Sequence, residues 1–176
     1  MVDPPDPHKP DQDPAQPFEP RRLAMPWDLS EWVSREELWG WTLEVVDGLG
    51  WDQPALVDYL AAWPNYRPQI LLTLISYGYC IGVFEDGEVA ELAFQNPPAA
   101  TIRGELSPRR RAVAEFRKAN RGLIKWVLVS LFRRVLKARY QVGGTLLPAG
   151  LKRYLVRAAT ARLDLARTMI RATEEA

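Results

Sequence analysis

The sequence is poor in the side chains on which most protein chemistry depends. It has one cysteine, Cys80, and one histidine, His8, among 176 residues. A single cysteine cannot form an internal disulfide, and one of each residue cannot build a His/Cys metal site, a Ser-His-Asp triad or a Cys-His dyad. The chain also has no basic start followed by an apolar stretch, so no secretory signal is expected. These absences predict a reducing, cytoplasmic setting, no cofactor and no metal, and leave out most hydrolytic chemistry. Long hydrophobic runs are scarce as well. The longest uncharged stretch, Pro68 to Phe84, has 17 residues, at the short limit for crossing a bilayer. Thr73, Ser76, Gly78 and Gly82 interrupt it and acidic residues follow at once, so a buried central helix is expected and not a membrane span.

Apolar material for a core is present. Hydrophobic residues make up 47% of the chain and seven tryptophans are among them, enough for one compact domain at this length. The net charge of +1 conceals a steep polarity. Residues 1–64 hold 4 basic and 13 acidic side chains, residues 65–106 hold 2 and 5, and residues 107–176 hold 17 and 4. The strongly basic last third can attract a polyanion such as nucleic acid, or can pair with the acidic front.

Seven prolines interleave with Asp, Gln and Lys in the first twenty residues, a composition that offers almost nothing to bury and predicts a disordered tail over 1–24. Helical signals follow. Ser34 and Glu37 match a capping box ahead of Leu38, Trp41, Val45 and Val46, predicting a helix over 35–47 that ends at Gly48 and Gly50. Asp52 and Pro54 open a second helix, with Leu56, Tyr59, Leu60 and Trp63 on one face, that stops at Pro64. Glu85, Asp86, Glu88 and Glu91 suit the positive end of a helix running to about Gln95, a better account of the cluster than a hard cation site. A loop covers 96–106. Ser107 caps a helix opening with Pro108, a second covers about 121–139, and a long one runs from about 148 to 173. On the last, Leu155, Ala159, Leu163, Ala166 and Ile170 recur three or four apart, as in a seam against another helix or a second copy of the chain.

The segment YRPQILLTLISYGYCIGVF at 66–84 resembles a Tyr-His/Arg-Pro, Leu-Leu, Tyr-Gly-Tyr, Gly-Val sequence in the N-terminal domain of InsH-type bacterial insertion-sequence transposases, which are DDE enzymes. In that family a short helix follows, then a Pro-Asp-x-x-Thr-Ile-x-x-Phe-Arg element and an apolar helix. Here Pro108 and the Phe116-Arg117 pair fall at the matching spacing, Val113 stands for the Ile, and 118–136 is similar to the apolar helix. The resemblance covers roughly Trp27 to Tyr140. It implies an all-α DNA-binding domain over 25–140 with a helix-turn-helix-like element, followed by a linker and basic helix over 141–176.

The departures define what is missing. Glu85-Asp86-Gly87 stands where the family has a Ser-Arg pair, and Arg109 and Ala112 replace the Asp and Thr of the second element. The family's catalytic domain opens on a strand bearing an Asp, whereas QVGGTLLPAG at 141–150 has no carboxylate and only Asp164, Glu174 and Glu175 lie beyond it. Two-metal phosphoryl transfer needs carboxylates from separate elements, so a front end without the motor is expected.

The sequence therefore predicts an all-α bundle of six or seven helices that acts as a non-catalytic DNA-binding protein related to transposase N-terminal domains. Arg109, Arg110, Arg111, Arg117, Lys118 and Arg121 are assigned to phosphate contact. Tyr66, Pro68, Tyr77, Gly78, Tyr79, Gly82 and Phe116 are assigned to the fold. The alternative is an interaction module that regulates a full-length transposase or forms a homodimer along Leu155, Leu163 and Ile170. A further option is attachment to a membrane surface through Lys152, Arg153, Arg157, Arg167 and Arg171.

Overall fold

In the computed structural model the described residues are 23–50, 67–95, 108–140 and 150–175. They form six α-helices and one 3-10 turn at Leu29–Glu31, with no strand among them. The helices are α1 (Arg35–Asp47), α2 (Pro68–Cys80), α3 (Asp86–Gln95), α4 (Arg110–Ala119), α5 (Arg121–Tyr140) and α6 (Leu151–Glu175). The expected helix after Asp52 and the tail before residue 23 lie outside the described residues.

Local sequence sets the helix ends. At α1 the Ser34 hydroxyl accepts from the Glu37 amide at 3.1 Å, while the Ser34 amide donates to the Glu37 carboxylate at 3.3 Å, completing the expected capping box. Pro68 occupies the first turn of α2, where a missing N–H costs nothing. That helix stops in a Schellman turn, with the Val83 amide donating to the Gly78 carbonyl at 2.8 Å and Gly82 at a φ of +80°, a conformation open to glycine with little strain. The start of α4 differs from expectation. Pro108 stays outside the helix and Arg109 is the N-cap, in extended geometry with no side-chain cap; Ser107 lies outside the described residues.

The uncharged α2 is the centre of the bundle and packs on α1, α3, α4 and α5. Every residue from Leu71 to Cys80 is buried, which is why this segment tolerates no charge. Gly78 lets α3 approach: a Cβ there would meet Leu92 Cδ1 at 3.1 Å, the Val83 carbonyl at 3.2 Å and Val89 Cγ2 at 3.3 Å. Gly78→Ala is therefore expected to lower stability by about 1–3 kcal/mol through overpacking, read as a fall in the urea midpoint; an unchanged midpoint would mean that α3 yields freely. Aromatic edges fill the remaining space, with Trp39 and Tyr77 T-shaped at 5.1 Å and Tyr79 tilted against Phe84 at 5.3 Å.

α5 and α6 pack along each other and join the same core. Leu155, Ala159, Leu163 and Ala166 are buried in it with residues of α1 to α5. The last helix, expected as part of a separate C-terminal segment, is thus integral to the bundle. The physical reason is its seam, which needs a cover and finds one in α5.

Candidate nucleic-acid interface

The phosphate-contact residues expected from the sequence lie on α4 and at the start of α5, and their positions around the helix separate them. Ala112, Val113 and Phe116 turn α4 inward, so residues on the opposite side face water. Arg109, Arg110, Arg111, Lys118 and Arg121 are exposed. Arg117 is not. It lies beside Phe116, and its guanidinium is aimed at Asp86 of α3, with Nε 2.9 Å from Oδ1 and Nη2 3.1 Å from Oδ2.

That bidentate pair corrects the assignment of Arg117 to phosphate. The two side chains are 13% and 3% exposed. Burial works against the charge on Arg117, but the hydrogen bond and the negative charge of Asp86 outweigh it and raise its pKa. A guanidinium so engaged has its fork already filled. Its role is to tie α3 to α4.

Two of the exposed cations also have carboxylate neighbours. Arg110 Nη2 lies 3.1 Å from Glu85 Oε1 and Arg121 Nη2 lies 2.7 Å from Asp164 Oδ1. The Arg121 pair is solvated on both sides and the Arg110 guanidinium is exposed although Glu85 is half-buried, so each cation can exchange its carboxylate for a phosphate at little cost. Arg109 and Lys118 make no ion pair among the described residues. On α6, Lys152, Arg153, Arg157, Arg167 and Arg171 are all exposed. Arg167 and Arg171 follow Asp164 by three and seven positions and so continue the strip that Arg121 reaches.

α2 and α3, where the resemblance places the helix-turn-helix-like element, are joined by five residues, Ile81–Glu85, that include Gly82. Glu85 precedes α3, which has Asp86 and Glu88 in its first turn and Glu91 further on, with Glu88 and Glu91 exposed. A phosphate backbone is repelled there, so the basic surface belongs to α4, α5 and α6.

Sequence reasoning missed the most deeply placed cation. Arg162 on α6 is 2% exposed and has no carboxylate partner among the described residues. Its Nη1 donates to the carbonyls of Trp27 at 2.5 Å and Tyr79 at 2.6 Å, and its Nη2 to the carbonyl of Pro26 at 2.6 Å. The guanidinium carbon lies 5.2 Å from the centre of the Trp27 ring and 5.0 Å from that of Phe132. Burial lowers its pKa. Arg162 thereby fastens a strap, residues 23–33, across the end of α2 and the side of α6. The strap is also held by the Met25 amide donating to the Tyr154 hydroxyl at 3.1 Å and by an isolated antiparallel bridge between Asp28 and Ile81.

The homodimer seam needs correction too. Leu155, Leu163 and Ile170 are 0%, 3% and 4% exposed within one chain, so the surface expected to receive a second copy is already covered. Among the described residues no three His, Cys, Asp or Glu side chains converge as a metal site, and no helix is long and apolar enough to cross a membrane. Cys80 is buried and its thiol pKa is pushed up to about 12 by desolvation, which suits a core residue and not a nucleophile. No protein-family model, no curated protein and no solved structure matches the chain.

Proposed function

We propose that this protein is a non-catalytic DNA-binding protein, related to the N-terminal domain of InsH-type transposases and acting in the cytoplasm without a nuclease or strand-transfer centre of its own. One observation carries the reading: apart from Arg117 and Arg162, the cations of α4 to α6 lie at the surface, while few carboxylates share it. A duplex presents one charge about every 1.7 Å, and each phosphate neutralised releases condensed counterions. Arg109 and Lys118 supply the primary contacts, the exposed Arg111 lies among them, and Arg110 and Arg121 exchange their carboxylates for phosphate. Arg167 and Arg171 extend the track.

The test is fluorescence anisotropy on mixed-sequence duplex DNA over a salt series, beside the Arg109→Ala, Arg111→Ala, Lys118→Ala triple variant. Wild-type affinity is expected to fall steeply with salt, and the slope of log affinity against log salt to flatten by about one to three in the variant. Circular dichroism checks that both are folded. A folded wild type that binds no duplex at low salt overturns the reading.

A further inference from the structure

The outward stripe of α5 is not explained by duplex binding alone. Trp126 is 52% exposed, although its helix buries Ile124, Val127, Leu128, Leu131, Phe132, Val135 and Leu136 and so has a full core face without it. Helical side chains lean toward the preceding turn, and the residue one turn before Trp126 is Gly122. A Cβ built at Gly122 meets nothing within 4 Å. The indole therefore projects over a bare turn with open space beside it.

The charges that the helix itself carries have one sign, although Arg121 and Arg134 pair with Asp164 and Glu44 of neighbouring helices. α5 contains six basic side chains and no acidic one. Lys125 adjoins Trp126 in sequence, while Arg133 and Lys137 lie two and three turns further along the same outward side. Their rise above Trp126 is about 10 Å and about 16 Å. Arg133 is half-buried, and its Nε has no hydrogen-bond partner among the described residues.

We infer that this stripe is a binding site for single-stranded DNA, with Trp126 stacking on an unpaired base while Lys125, Arg133 and Lys137 neutralise the flanking phosphates. An aromatic face amid cations matches the chemistry by which single strands are held without sequence readout. A paired duplex hides its base faces and offers Trp126 nothing to stack on. A membrane surface fits less well, because an interfacial helix keeps its apolar residues on one continuous face, whereas here Arg133 and Lys137 stand on the same line as the indole. The inference rests on the DNA reading above and names the strand that one part of the surface takes.

The experiment compares oligodeoxythymidylate of about 20 nucleotides with a duplex of equal length, using wild type, Trp126→Leu, Trp126→Phe and the α4 triple variant. Because Trp126 is exposed, its substitutions are expected to leave the thermal midpoint in place. Trp126→Leu is expected to weaken single-strand binding by about 5- to 150-fold, with duplex binding unchanged and Trp126→Phe retaining most of the single-strand affinity. Equal loss on both DNAs, or no loss on either, overturns the stacking site while the duplex reading survives. Absence of binding to duplex and single strand alike overturns both. Full affinity in Trp126→Leu for the single strand, together with lost co-sedimentation with phosphatidylserine vesicles, reassigns the stripe to lipid.

Discussion

Arg162→Met is expected to cost about 3 kcal/mol of folding stability, through the loss of three charge-assisted hydrogen bonds and two cation–π contacts. Methionine is long enough to fill the channel between Trp27 and Phe132 but donates nothing, so the carbonyls of Pro26, Trp27 and Tyr79 lose their shared partner. Removing a buried cation relieves its desolvation, which keeps the loss below the sum of the contacts. Burial lowers the Arg162 pKa from a strongly alkaline value. The group stays charged in both folded and unfolded chains through neutral pH, and the loss is expected to be flat from acid to mildly alkaline solution. Urea titration measures the loss, and hydrogen exchange at Met25 and Trp27 should show the strap opening ahead of the core. An unchanged midpoint with a protected strap would mean that the strap is held by its other contacts.

Asp86→Ala should be at least as damaging, at about 3–5 kcal/mol, because it leaves the Arg117 guanidinium buried with no counter-charge. The pair is less valuable than that figure implies. Replacing both residues by apolar side chains, as in Asp86→Leu with Arg117→Met, is expected to recover most of the loss, since neither charge then has to be desolvated. A double-mutant cycle on urea midpoints separates these terms. If the double variant is as unstable as Asp86→Ala alone, the pair is needed for the geometry of α3 against α4 and not merely for its charge balance.

The elements themselves were legible because their signals are local. The Ser34 and Glu37 spacing and the glycines after α1 act within one turn, and the uncharged run of α2 is continuous in sequence, so sequence order is enough to place them. Side-chain partners across the bundle were not. Asp86 reads as an ordinary first-turn carboxylate and Arg117 as one more cation on a basic helix. Only packing brings them together, 31 positions apart. Arg162 did leave a trace: it continues the spacing of Leu155 and Ala159 toward Ala166, so a position reserved for burial is filled by a cation. With 17 basic side chains after residue 106, one more arginine carries little signal of its own. The seam on α6 stayed open between another helix and a second copy, because the i, i+3, i+4 spacing that makes a helix sticky says nothing about which surface covers it; within one chain α5 does.

The Arg162 clasp also sets an order of events during synthesis. Trp27 leaves the ribosome early, but the guanidinium that holds its carbonyl lies 135 positions later, a wait on the order of 10 s at ordinary elongation rates. Until then the earlier helices can gather around α2, while the strap has no fastening of this kind and the face of α5 that includes Phe132 is uncovered. A nascent chain stalled before α6 would thus present apolar surface to chaperones and proteases. The first described residues of this protein are among the last to be locked down.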